Sequence, residues 1–194
     1  MAKSIGFKKV KTAVFISGTG SNFINLLKFS LIKKTPIKII LLVSNNSKSK
    51  ALKFIKRSKI KKMILRYNYK SKDENRILNV LKKNQIKLIC LAGFMKILSP
   101  RFIKKFNGKI LNIHPSLLPK YKGLNTHKRV IKNKEKYSGC SVHYVNERLD
   151  SGKIIIQKKV KILKKDTPIS LAKKVLKQEH IIYKKAIFKV FSKL

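Results

Sequence analysis

Three groups of residues in this chain have the types and spacing to do chemistry. The first is Asn112-Ile113-His114, which ends the apolar run Ile110–His114 and leads into a loop stiffened by Pro115 and Pro119. Residues two apart on a strand share a face, so an amide and an imidazole stand side by side at a strand end. The amide can donate to a developing oxyanion, and the imidazole can give or take a proton near neutral pH. The second group is Gly18-Thr19-Gly20-Ser21-Asn22, between a strand-like and a helix-like run. Backbone N–H groups and a helix dipole at such a place can hold a phosphate. No Gly-Lys-Ser/Thr follows, and Phe23 stands at the third glycine position of a dinucleotide fingerprint, so neither nucleotide motif is met. A plain tight turn, with Asn22 as a helix N-cap, fits the same residues. The third is Asp150, in the turn Leu149–Gly152. Only folding can bring it to His114, where a carboxylate would favour imidazolium and raise the histidine pKa. On composition alone it is a turn residue.

The elements that must position these groups follow from hydrophobic periodicity. Thr12–Ser17, Ile37–Val43, Met63–Leu65 and Leu88–Ala92 are short apolar runs that suit buried strands. Between them, Phe23 to Leu31, Lys50–Ser58 and Asp73–Asn84 have helical spacing, with Pro36 expected to stop the first helix. Alternating strands and helices predict an α/β fold: a Rossmann-like, mostly parallel twisted sheet with helices on both faces. Ligands then bind at the carboxyl ends of the strands, where the glycine loop, the Asn112–His114 pair and the loop around Gly93 lie. The second half changes character. Tyr137–Val145 and Ile154–Ile162 alternate in polarity, as antiparallel strands do, and a final helix runs from about Ile169 to the end. One domain is expected over residues 1–194, in two halves at about 12–109 and about 110–194.

Composition narrows the function classes. The chain has 194 residues, of which 43% are hydrophobic, so a packed core is expected. No apolar run reaches the roughly 18 residues of a membrane span, and the basic start, Met1–Thr12, lacks a secretory signal's apolar stretch. Cys90 and Cys140 sit in strand-like runs and read as reduced core thiols, which implies a cytoplasmic setting. The net charge of +42 allows nucleic-acid binding. Yet the lysines are spread along the chain, and residues with A/T-rich codons abound, which reads as compositional drift rather than a dedicated patch. No specific nucleic acid is expected as a partner.

At these residues the sequence resembles the folate-dependent phosphoribosylglycinamide formyltransferase family. The matching stretches are Ile16–Asn22, Leu91–Ser99, Leu111–Pro119, Lys120–His127, Gly139–Val145, Leu149–Gly152 and Gln178-Glu179-His180, in the family's order. The resemblance implies that Asn112, His114 and Asp150 form a catalytic trio, and that Gly20, Ser21 and Asn22 hold the substrate phosphate. It implies that Glu179 contacts the sugar or amine side of that substrate. It also implies that the backbone of Met95, Lys96, Ile97 and Leu98, together with Asn112, grips the pterin of the folate. Lys72 stands where the family often has arginine, keeping the charge without the bidentate geometry. Ser151 replaces a common glycine.

The resemblance further implies a reaction. The amine of glycinamide ribonucleotide attacks the formyl carbon of 10-formyltetrahydrofolate, a co-substrate, and no metal is needed. His114, kept protonated by Asp150, and Asn112 stabilise the developing charge, and Asp150 helps move the proton. The partners implied are small molecules, with no membrane, on a monomer or homodimer. Methionyl-tRNA formyltransferase, formyltetrahydrofolate hydrolase and a non-catalytic basic nucleic-acid-binding protein are the alternatives.

Overall fold

The apolar runs pair into a single seven-stranded sheet of order β3-β2-β1-β4-β5-β6-β7. The computed structural model describes residues 9–55, 58–65 and 70–191. Most of the basic start and the last three residues of the expected final helix lie outside them. In chain order the elements are β1 (Val10–Ile16), α1 (Ser21–Leu31), β2 (Ile37–Ser44), α2 (Ala51–Phe54), β3 (Lys61–Ile64), α3 (Lys70–Lys83) and β4 (Leu88–Leu91). There follow α4 (Pro100–Lys105), β5 (Lys109–His114), α5 (Thr126–Lys132), β6 (Tyr137–Tyr144), β7 (Ile154–Lys161) and α6 (Pro168–Phe191). Strands β1 to β5 are parallel to their neighbours, whereas β6 runs antiparallel to both β5 and β7.

The sequence explains these elements locally. From Thr12 onward β1 is buried on both faces, as a central parallel strand must be. Helix α1 buries Phe23, Leu26 and Phe29 along one stripe. It ends at Leu31, well before Pro36: Lys9 Nζ sits 3.2 Å from the carbonyl of Ser30 and 2.7 Å from that of Ile32, so a cation caps the last turn. Helix α2 is shorter than its sequence suggests, and Lys56 and Arg57 lie outside the described residues. Helix α4 starts on Ser99, whose hydroxyl accepts the Phe102 N–H, with Pro100 at the first helical position.

Two cores sandwich the sheet. Helices α1, α5 and α6 cover one face through Phe23, Val130, Leu171, Val175 and Tyr183, packed on Val14, Cys90, Leu111, Ile113 and Val142. Helices α3 and α4 cover the other through Ile77, Leu81 and Phe102, and that core reaches no further than Ile110 on β5. Alternation therefore turns Asn112, His114, Ser141 and His143 onto a stretch of sheet that no helix covers. Loops close over it instead. The outer strands β3 and β7 leave two free edges, and each carries exposed adjacent lysines, Lys61-Lys62 and Lys158-Lys159.

Candidate active site

Strand order reverses at β1, whose neighbours β2 and β4 carry the chain in opposite directions across the sheet. A crevice opens at the carboxyl end of such a switch point. Its two lips are tied together: the Ser17 N–H donates to the Gly93 carbonyl at 3.1 Å, and the Met95 N–H to the Ser17 hydroxyl at 2.7 Å. Gly20 turns the chain into α1 with φ +81°, and a Cβ there would lie 2.4 Å from the Ala51 Cβ. Glycine is thus required for conformation and for space. The first intrahelical bond is Ile24 N–H to the Gly20 carbonyl, 2.9 Å, so the N–H groups of Ser21, Asn22 and Phe23 come before any intrahelical partner. No acidic residue stands in this first turn. Free N–H groups at such a helix start can hold an anion.

The Asn22 side chain is turned to α6. Its amide donates to Glu179 Oε2 at 2.6 Å, both residues are buried, and Asn22 Oδ1 has no partner. Burial pushes the Glu179 pKa up, against the Asn22 hydrogen bond. A buried acceptor without a donor, beside a poorly solvated carboxylate, is an unfinished site.

The polar groups on the uncovered face converge. Asp150 comes from the loop between β6 and β7, which folds back over β5. Its own φ is +45°, and Gly152 beside it passes so close that a Cβ would meet the Tyr144 carbonyl at 1.8 Å. Asp150 Oδ2 lies 3.3 Å from His114 Nδ1 and accepts the Gly123 N–H at 2.8 Å. Its Oδ1 is 3.4 Å from Asn112 Nδ2 and 3.6 Å from His143 Nε2. His143 lies directly across the ladder from Asn112, and its Nε2 is 3.2 Å from the same amide nitrogen. Since His143 Nδ1 donates to the Tyr144 carbonyl at 2.7 Å, a neutral ring leaves Nε2 as an acceptor, and the Asn112 amide is assigned with nitrogen towards His143 and Asp150. His114 Nε2 donates to the Tyr121 carbonyl at 2.8 Å.

The electrostatics correct one expectation. Burial pulls the His114 pKa below its ordinary value; the Tyr121 carbonyl and Asp150 pull it up and do not overcome that, while His143 and Arg129 push it further down. Asp150 therefore resists the fall of the His114 pKa without producing a net rise. Burial alone would raise the Asp150 pKa, but the nearby His143 ring, the Gly123 N–H hydrogen bond and the charge of His114 hold it below the usual range.

The remaining sequence-predicted residues are distributed unevenly. Met95, Lys96 and Ile97 are exposed on the lip after β4, whereas Leu98 turns into the core beside α4. Lys72 is exposed in the first turn of α3, and no hydrogen bond or ion pair joins it to the Asn112 cluster. Sequence reasoning assigned no role to His143, Tyr121 or Gly123. The alternation of β6 was a signal for His143; the backbone groups of the other two left none. Among the described residues no group of histidine, cysteine, aspartate and glutamate side chains has metal-site geometry, and no helix is long and apolar enough to cross a membrane.

Comparison with known proteins matches this geometry to a family. Residues 10–187 match the formyl transferase family. A Haemophilus influenzae protein named phosphoribosylglycinamide formyltransferase is 41% identical over 176 residues, 89% of this chain and 83% of that protein. The chicken trifunctional purine biosynthetic protein adenosine-3 is also 41% identical, over 92% of this chain, but the chain spans only 18% of that protein's length. The crystal structure of phosphoribosylglycinamide formyltransferase from Bacillus halodurans is similar with a TM-score of 0.89 at 33% identity, covering 94% of this chain and 96% of that one. The one from Brucella melitensis gives 0.87 at 38%, covering 95% and 96%. With the glycine cradle, the Asn112–His114 strand end and the Asp150 loop all inside the matched span, this chain belongs to the formyl transferase family, among its phosphoribosylglycinamide formyltransferases.

Proposed function

We propose that this chain transfers the formyl group of 10-formyltetrahydrofolate to the amine of 5'-phosphoribosylglycinamide, in purine synthesis. One observation carries the reading: Asp150, remote in sequence from Asn112 and His114, brings its carboxylate to 3.4 Å from the Asn112 amide and 3.3 Å from His114 Nδ1, on a stretch of sheet that only loops cover. In this reading the N–H groups of Ser21, Asn22 and Phe23 hold the ribonucleotide phosphate. Glu179 and the unpartnered Asn22 oxygen take its hydroxyl or amine hydrogens. Met95, Lys96, Ile97 and Leu98 form the shelf for the folate ring, Asn112 faces it, and Lys72 meets its acidic tail.

The folate supplies the formyl carbon; the chain's residues manage charge and protons. As the amine attacks, negative charge grows on the formyl oxygen, and the Asn112 amide and protonated His114 donate to it. Asp150 accepts the proton leaving the amine and passes it to the folate nitrogen as the bond from that nitrogen to the formyl carbon breaks, while staying near enough to His114 to stabilise the imidazolium. Both substrates are anionic, so the charge of +42 raises their local concentration, an effect that salt screens. The test is spectrophotometric: folate release by the purified chain, with and without phosphoribosylglycinamide. Release only with the ribonucleotide is expected. Release without it, or none in either case, overturns the assignment.

A further inference from the structure

His114 has two ring nitrogens, and the structure distinguishes them. Nδ1 faces the Asp150 carboxylate at 3.3 Å, on the side where Asn112 and the cleft lie; Nε2 meets the main-chain carbonyl of Tyr121 at 2.8 Å. That carbonyl is held with unusual care. Tyr121 has φ +57°, a conformation bulky L-residues rarely adopt. Its side chain is fastened at three points. The hydroxyl donates to Glu135 Oε1 at 2.8 Å, Asn133 Nδ2 donates to the hydroxyl at 3.0 Å, and the Arg129 guanidinium lies 5.3 Å over the ring. Lys120 holds the same Glu135 oxygen at 3.1 Å. A strained backbone persists only where its surroundings determine it. Here the surroundings are this clamp, and what it delivers is one carbonyl on one ring nitrogen.

We propose that Tyr121 is a positioning residue: its side chain, tied to Glu135 and Asn133, keeps its own carbonyl on His114 Nε2, so that Nδ1 is the nitrogen that presents a proton to the developing oxyanion. Both neighbours of the ring only accept, and the contact at Nε2 is the shorter, 2.8 Å against 3.3 Å at Nδ1, so the neutral ring keeps its proton on Nε2 as a single tautomer. Protonation then occurs at Nδ1, between Asp150 and the substrate. The inference rests on the proposed reaction for its consequence in turnover, but not for its geometry. The charged and titratable groups around the ring are Asp150 and His143 on the β6–β7 side, and Arg129 and His127 on α5.

The test uses Tyr121→Phe, which keeps the ring and loses the hydroxyl, together with Glu135→Ala and Glu135→Gln. The four histidines are few enough for 15N NMR of the ring nitrogens to resolve His114 through a titration. In the wild-type chain Nε2 stays protonated throughout and Nδ1 alone changes. In Tyr121→Phe and Glu135→Ala the neutral ring becomes a tautomer mixture. Turnover falls about tenfold with KM within about twofold, as expected when a catalytic group is misplaced rather than removed. Glu135→Gln, which keeps an acceptor for the hydroxyl, recovers most of the loss. A permanent proton on Nδ1, or a single tautomer and full turnover in both clamp variants, overturns the proposal. If the tautomers mix as expected but even the wild-type chain transfers no formyl group, the clamp stands and the assigned reaction falls. If Glu135→Ala does not fold, the near-isosteric Tyr121→Phe carries the test.

Discussion

Replacing Asp150 by asparagine tests the site most directly, because the carboxylate uses both oxygens. Oδ2 accepts the Gly123 N–H at 2.8 Å and faces His114 Nδ1; Oδ1 faces Asn112 Nδ2 and His143 Nε2. An amide offers one acceptor where there were two. In one orientation its NH2 group confronts the Gly123 N–H, and in the other the NH2 of Asn112, so the array cannot be restored by a flip. Losing the negative charge beside it moves the His114 pKa further down. Burial already holds that pKa below its ordinary value. Near pH 7.5 each further unit cuts the imidazolium fraction about tenfold. The misplaced Asn112 donor adds up to about 2.7–4 kcal/mol of lost oxyanion stabilisation. The two effects multiply, so the expected fall in kcat is at least about tenfold, with the oxyanion part alone reaching about 1,000-fold. Folate release should be followed against pH, with the His114 titration recorded by NMR on the same variant. A kcat within about threefold of wild type, or an unmoved His114 titration, would refute the coupling argued from these distances.

Other consequences are simpler to test. Gly20→Ala combines a left-handed backbone, costing an L-residue about 1–2 kcal/mol, with a contact to Ala51 that forces movement, so the variant should lose about 2–4 kcal/mol of stability; an unchanged melting temperature would show that the loop is not fixed as described. Glu179 has a raised pKa, so the folded chain binds its proton more tightly than the unfolded one, and its contribution to stability is present below about pH 4.5 and is lost as pH rises through the folded value. Glu179→Gln should therefore melt higher than wild type at neutral pH, and with no difference at pH below that value, while KM for the ribonucleotide rises; a neutral-pH melting temperature at or below wild type counts against the desolvated charge. Burial pushes the thiols of both Cys90 and Cys140 up to about 12, so neither should react with a thiol reagent at pH 8 until the chain is denatured; prompt reaction of the native protein would contradict the packing of β4 and β6.

How much of this was legible in the sequence depended on the range of the interaction that decides each feature. The parallel half could be read because a strand buried on both faces, such as β1, is a continuous apolar run. Helix α4 went unread although Ser99-Pro100 is a start signal, because six residues carry too little periodicity to register. Helix α5 begins on Asn125 with φ +57° and no side-chain cap, so it has no local signature. Asn112 and His114 stood out because alternation places them together. His143 did not, because its meeting with Asn112 is fixed by ladder register between strands some thirty positions apart. The net direction of the His114 pKa was misjudged for the same reason: a charge partner can be guessed from residue type, but desolvation is a property of the finished fold.

The lysine pairs on β3 and β7 give the cationic excess a mechanical meaning. A free sheet margin invites another molecule to add its own strand, and proteins resist this where like charges would be forced into register. Two such molecules meeting margin to margin would align Lys61-Lys62 or Lys158-Lys159 against other lysines, with every other surface also repelling at a charge of +42. This charge works against either end of the sheet becoming a template for polymerisation.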